Sequence, residues 1–108
     1  MQLFDMHSHI LPGIDDGAEN IDISKELIEA EKKCGVNQIM FTPHFWADSM
    51  GYDSFFAERE EAYSQIKLIC DAVGIETKTG SEVRMIPQLE DIDLTRFVMG
   101  DTGYLLLE

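Results

Sequence analysis

At 108 residues and 44% hydrophobic composition, the chain suffices for one compact domain or part of one, and excludes a second. Eight Lys and Arg face 21 Asp and Glu, a formal charge of -13, so the surface repels nucleic acid and anionic lipid. No run approaches the roughly 20 apolar residues of a membrane helix, and the basic and apolar pattern of a signal peptide is missing, so a cytoplasmic protein with no membrane insertion is expected.

Leu3 to Ile10 alternates, with Leu3, Asp5, His7 and His9 on one side of an extended chain. That pattern predicts a strand, ended by the turn Leu11-Pro12-Gly13. Ile23, Leu27, Ala30 and Cys34 then recur at helical spacing, with Asp22 as the expected cap and Gly35 as the stop. Gln38 to Thr42 is a short apolar run ended by Pro43, and reads as a second strand. A longer helix is expected from a cap at Asp53 to Gly74, with Phe56, Arg59 to Tyr63, Ile66, Ile69 and Val73 on one face. Glu76 to Val83 reads as a third strand. A short helical turn after Pro87, the turn Gly100 to Gly103 and a fourth strand from Tyr104 to Leu107 complete the chain. Strands separated by helices and long connections imply parallel β/α units, for which an incomplete barrel is the natural candidate.

The polar residues form a pattern on this map. His7 and His9 lie at the end of strand one, His44 just beyond strand two, Glu82 at the end of strand three and Glu108 at the end of strand four. All emerge at the strands' C-terminal edge, where the loops of a β/α barrel converge. His7 and His9, one residue apart on a strand, point the same way and can reach one cation, and Asp5 beneath them can orient a ring. Alone, such a pair is equally what two surface histidines would give. Asp15-Asp16-Gly17 would ordinarily be a solvated turn, but it must fold over the same mouth, where Asp16, the favoured one of the pair, can complete a second site with His44. The chain has three histidines, and all fall at expected strand ends. Glu82 can bridge two cations, and Glu108 follows three leucines, where an uncompensated charge is costly.

Imidazole mixed with hard oxygen ligands suits manganese, iron or zinc better than calcium. Ions held close together by such ligands hydrolyse phosphate esters. Cysteine-based phosphatase chemistry is set aside, because neither Cys34 nor Cys70 leads at short range to the arginine that closes a phosphate loop. Both thiols lack CxxC spacing and fit reduced, packed helical positions.

The run Asp5-Met6-His7-Ser8-His9-Ile10-Leu11-Pro12-Gly13-Ile14-Asp15-Asp16-Gly17-Ala18 resembles the opening of the capsular and exopolysaccharide tyrosine phosphatases, within the polymerase and histidinol phosphatase (PHP) superfamily. Thr42-Pro43-His44, Gly80-Ser81-Glu82-Val83-Arg84 and Asp101 to Glu108 match later blocks in the same order, so the resemblance spans the chain. It implies an α/β fold, the N-terminal half of a distorted seven-stranded β/α barrel with parallel strands. It also implies up to three metals, usually manganese (Mn2+), and a phosphotyrosine protein as substrate, a bacterial tyrosine kinase of polysaccharide synthesis. Carried over by position, His7 and His9 bind the first metal and Glu82 bridges it to the second. Glu108 holds the second, and Asp16 with His44 holds the third. Arg84 matches the pattern and is given no metal or catalytic role. Family members are about twice as long and draw further ligands from later strands. Residues 1–108 are therefore expected to be the N-terminal part of the phosphoesterase domain, a truncated piece that holds metals weakly. Two other readings stand beside this one: a small-molecule phosphatase such as one for histidinol phosphate, and a non-catalytic half-barrel whose open edges pair into a homo-oligomer.

Overall fold

A computed structural model describes all 108 residues, Met1–Glu108. In chain order it contains β1 (Leu3–Ser8), α1 (Ile21–Lys33), β2 (Val36–Phe41), β3 (His44–Phe45), α2 (Tyr52–Ala72), β4 (Glu76–Thr79), β5 (Glu82–Val83) and β6 (Leu106–Leu107). Single 3-10 turns at Leu89–Asp91 and Thr95–Phe97 lie between β5 and β6. One sheet has the order β1-β2-β4 and the other β3-β5-β6, and every pairing is parallel. The two sheets are successive stretches of one surface. Gly80 N–H donates to the Phe41 carbonyl at 2.8 Å and Glu82 N–H to the Pro43 carbonyl at 2.9 Å, carrying the ladder across the gap. The parallel α/β reading therefore holds.

Strand boundaries differ from the expected ones, for local reasons. The second strand starts at Val36 and stops at Phe41, because Pro43 has no N–H to offer a neighbour. The expected strand Glu76 to Val83 is two pieces divided at Gly80-Ser81. There the backbone runs close to another segment: a Cβ on Gly80 would lie 3.1 Å from the Met99 Cα. The first strand ends at Ser8 rather than Ile10, since the His9 carbonyl turns to accept from Ala18 N–H at 3.0 Å. The last strand keeps only Leu106–Leu107, because the Tyr104 carbonyl is drawn into the preceding turn by Met99 N–H at 2.9 Å.

The cap of α1 is Asn20, whose side chain accepts from Ile23 N–H at 3.0 Å, so Asp22 lies in the first turn rather than at the cap. Ser24 and Ile28 are the residues this helix buries. The stripe Ile23, Leu27, Ala30 and Cys34 faces outward, and Leu27, Ala30 and Cys34 line a groove of about 520 Å³ beside β1. Cys34 is accordingly exposed at the end of α1 instead of packed, while Cys70 is buried in α2 and its thiol is pushed up to about 11 by that burial. The α2 helix begins after Gly51, not at an Asp53 cap; Asp53 sits in its first turn, favourably placed for the helix dipole. Of its expected inner face Phe56, Arg59, Ala62 and Ile66 are buried and Tyr63, Ile69 and Val73 half-buried, whereas Glu60 and Glu61 point to solvent and Phe55 and Cys70 are buried in addition.

Two apolar clusters hold these layers. Ile10, Leu11, Ile28, Ile39, Phe41 and Ile66 join the first sheet to both helices. Phe45, Phe55, Phe56, Val83, Leu89 and Phe97 join the second sheet to the start of α2 and the 3-10 turns. Burying each such side chain is worth about 1.5–3 kcal/mol. No helix is long and apolar enough to cross a membrane.

Candidate metal centre

Two hydrogen-bonding side chains fix the end of β1 against the end of β2. Ser8 N–H donates to Thr42 Oγ1 at 3.0 Å, and the Thr42 hydroxyl returns to the Ser8 carbonyl at 3.1 Å. The Ser8 hydroxyl also donates to the Met40 carbonyl at 2.8 Å. Thr42 thus continues the ladder up to the residue where proline would break it, and His7 and His9 are held in register with His44. A third anchor comes from α2: the buried Arg59 donates through Nη1 to the Gly80 carbonyl at 3.0 Å and contacts Ser81 Oγ at 3.3 Å. Burial holds the Arg59 guanidinium below its ordinary value. Its hold on Gly80-Ser81 sets where Glu82 emerges.

The side chains so placed converge. His7 Nε2 is 3.1 Å from one Glu82 oxygen and His9 Nε2 is 3.1 Å from the other. The two Nε2 atoms lie 3.2 Å apart. His44 stacks on His9 at 4.5 Å between ring centroids. Its Nδ1 lies 3.3 Å from Glu82 and 3.6 Å from Glu108, and its Nε2 lies 3.3 Å from Asp16. His7, His9, Asp16, His44, Glu82 and Glu108 are therefore brought together, with Glu82 buried at the centre and Glu108 and Asp16 exposed at the rim. His44 and Glu82 open β3 and β5, directly after the breaks, rather than closing longer strands.

Asp5 does not lie against an imidazole. Its Oδ1 accepts from His7 backbone N–H at 3.1 Å, and its carboxyl lies beside that of Glu31. The ring orientation anticipated for Asp5 is supplied by Asp15: Oδ2 meets His9 Nδ1 at 3.0 Å and accepts from His44 N–H at 3.2 Å, while Oδ1 accepts from Gly17 N–H at 2.9 Å. With Nδ1 engaged, His9 turns Nε2 to the cluster. Gly17 permits this fold of the loop, because a Cβ there would stand 2.1 Å from the His9 carbonyl oxygen. The Asp-Asp pair carried the only sequence signal for Asp15, and nothing in the pair says which member faces the ring.

The donor set fits divalent cations. Two groups could each hold an ion, His7-His9-Glu82 and His9-Asp15-Asp16-His44, with ligand atoms within 4.8 Å of one another. Four carboxylates gather around three imidazoles, while the ion pairs made by Arg and Lys side chains lie elsewhere, at Arg59, Lys67 and Lys78. His44 Nδ1 is buried at ion-pair distance from two carboxylates yet forms no hydrogen bond, as expected of an atom aimed at a cation. Such a concentration of like charge is costly without one.

Comparison with known proteins adds to this geometry. The tyrosine-protein phosphatase YwqE of Bacillus subtilis (strain 168) is 32% identical over 111 residues, a match covering 98% of this chain and 42% of YwqE. CapC of Staphylococcus aureus is 26% identical, with the same coverage. A solved chain from the crystal structures of YwqE and of CpsB from Streptococcus pneumoniae, described as unique metal-dependent tyrosine phosphatases, superposes with a TM-score of 0.75 at 27% identity. That superposition covers 97% of this chain and 43% of the solved one. The chain thus spans about two fifths of the length of these relatives. Residues 3–108 match the family described as capsular polysaccharide synthesis, CpsB/CapC, and with the His and carboxylate cluster at its strand edge, the chain belongs to that family.

Proposed function

We propose that this strand-edge cluster is a metal centre for hydrolysis of phosphotyrosine on a protein partner, a bacterial tyrosine kinase of capsular or exopolysaccharide synthesis. The observation that carries the reading is Glu82, whose two oxygens each face a different histidine at 3.1 Å with His44 Nδ1 a further 3.3 Å contact. In this reading His7, His9 and Glu82 hold one ion, Glu82 and Glu108 a second, and Asp16 with His44 a third. The order of these ligands along a parallel sheet supports reading the chain as one part of a PHP-type barrel. Manganese is the favoured metal, and the same donor set accepts iron or zinc.

Bound divalent ions supply Lewis acidity and activate water near neutral pH. The chain's own groups do the rest. Glu82 ties His7 of β1 and His9 just after it to the histidine of β3 through one buried carboxylate. Asp15 fixes the His9 tautomer and holds the loop over the mouth. The carboxylates Asp16 and Glu108 at the rim repel a phosphate dianion unless cations offset them, so substrate enters only a loaded site.

Metal content after dialysis, read by plasma mass spectrometry, and hydrolysis of a phosphotyrosine peptide test the proposal together. The wild type takes up manganese and cleaves the peptide in preference to histidinol phosphate, and Glu82→Gln loses both properties. Preference for histidinol phosphate points to the small-molecule phosphatase instead. Equal metal uptake by wild type and Glu82→Gln ends the metal-centre reading.

A further inference from the structure

The ladder that bears His44 and Glu82 runs on for one more step toward the mouth. β3 and β5 pair with His44 opposite Glu82 and Phe45 opposite Val83. Arg84 N–H then donates to the Phe45 carbonyl at 3.0 Å, which continues the pairing past both strands. Side chains alternate with a period of two along such a ladder, so Trp46 and Arg84 fall on the face of His44 and Glu82, roughly 6.6 Å further out. The contacts agree: the Trp46 ring is 5.9 Å from the His44 ring, and the Arg84 guanidinium carbon is 5.3 Å from the Trp46 ring. Glu108 N–H donates to the Val83 carbonyl at 2.9 Å, bringing the third strand to the same level.

Packing does not account for this outer tier. Arg84 is exposed and lies beside an acid-rich rim, yet the salt bridges of the chain's Arg and Lys residues are made by Arg59, Lys67 and Lys78. A cation present only to neutralise the rim would sit on a carboxylate. Arg84 lies over the indole instead, an arrangement that steadies the guanidinium by cation–π attraction and leaves its N–H edge available. Trp46 Nε1 is itself a buried donor without a partner. A planar fork of donors beside an aromatic face, one tier above a cluster of metal ligands, is complementary to a phosphoryl group carried on an aromatic ring.

We infer that Arg84, supported by Trp46, binds the phosphoryl oxygens of an aryl phosphate ester, with the indole facing the aryl ring; this rests on the reading of the cluster as a metal phosphatase centre. Two phosphoryl oxygens accept from the guanidinium, which leaves the third free to face the His and carboxylate cluster one tier below. Arg84 thereby selects for a phosphate dianion, and Trp46 for the aromatic group that bears it.

Trp46 is the single tryptophan of the chain, so its fluorescence reports on this tier. Manganese-loaded wild type, Arg84→Met and Arg84→Lys are titrated with phosphotyrosine and with inorganic phosphate, and manganese affinity is measured separately by calorimetry. Phosphotyrosine is expected to change Trp46 emission saturably in the wild type. Arg84→Met should weaken binding of both ligands by about tenfold or more, Arg84→Lys should recover part of the loss, and all three proteins should bind manganese equally. Equal phosphate affinity in wild type and Arg84→Met overturns the role of Arg84 and leaves the metal centre standing. Weaker manganese binding by Arg84→Met also overturns it, by making the arginine a support for the ligands. Failure of metal-loaded wild type to bind either ligand overturns both readings.

Discussion

At the scale of single residues, neighbouring acids in this chain have divided roles. Asp16 meets His44 Nε2 at the exposed rim, whereas Asp15 is turned inward on His9 Nδ1 and two backbone N–H groups. Removing such an orienting partner typically costs 10- to 100-fold in metal affinity. Asp15→Ala should therefore weaken manganese binding by about that factor, measured by calorimetry, with Asp15→Asn recovering part because an amide oxygen still accepts. Equal affinity in Asp15→Ala and wild type would show that the loop backbone alone positions the ring. Glu31 offers a second test at this scale. Burial, followed by interaction with the Asp5 carboxyl beside it, pushes Glu31 from 4.5 up to about 7. A carboxyl with a raised folded pKa stabilises the fold in its protonated form. That contribution is full below pH 4.5 and is lost as pH rises through about 7. Metal-free Glu31→Gln, neutral throughout, should gain thermal stability relative to wild type across this window. A difference in Tm that does not change with pH would count against the shift.

At the scale of elements, irregular segments do the positioning. Thr95–Phe97 is one 3-10 turn, yet its Phe97 is fully buried, with ring centroids 4.4 Å from Phe45, 4.8 Å from Phe56 and 5.3 Å from Tyr52. Phe45 follows His44 in β3, so this packing holds the back of the strand whose front bears the histidine. Phe97→Ala should cost about 3–5 kcal/mol in urea unfolding. A loss under about 1 kcal/mol would mean that the 3-10 segment is dispensable to the second core. On the opposite side, α1 keeps an apolar stripe outward while burying Ser24 and Ile28. The helical period of that stripe was readable; which way it faces is set by the neighbours available, and here α2 and β2 take the other face.

For the molecule as a whole, the cluster draws ligands from β1, the loop after it, β3, β5 and the residue after β6. An ion that binds this assembled set and not the unfolded chain stabilises the fold by mass action, about 2.7 kcal/mol at a hundredfold excess over Kd. Chelation with EDTA is therefore expected to lower Tm, and added manganese to restore it, whereas Glu82→Gln should show neither response. A Tm indifferent to both treatments in the wild type would mean that the ligands converge without gaining stability from a cation.

How far the sequence reached is clearest by comparing particular residues. His7 and His9 were legible as a pair because the two-residue period of a strand is local and leaves both rings on one side. The parallel β/α order and the inner face of α2 were legible for the same reason, since short-range periodicity determines each. Asp15 over Asp5 as the orienting group, Asn20 over Asp22 as the cap, and the breaks at Thr42-Pro43 and Gly80-Ser81 were not. The cap is a local choice between two residue types that both cap helices, made by the bond from Ile23 N–H to Asn20. The orienting group and the two breaks depend on contacts between segments far apart in the chain: Asp15 with His44, Ser8 with Thr42, Arg59 with Gly80. The tier of Trp46 and Arg84 belongs with these, for only the register of β3 on β5 brings the two side chains together. Residue types and their periods thus determined which groups were available and on which element each lies. Tertiary structure alone decided which of them meet, because hydrogen bonding and packing between distant segments fix the register and the turns that local spacing leaves open.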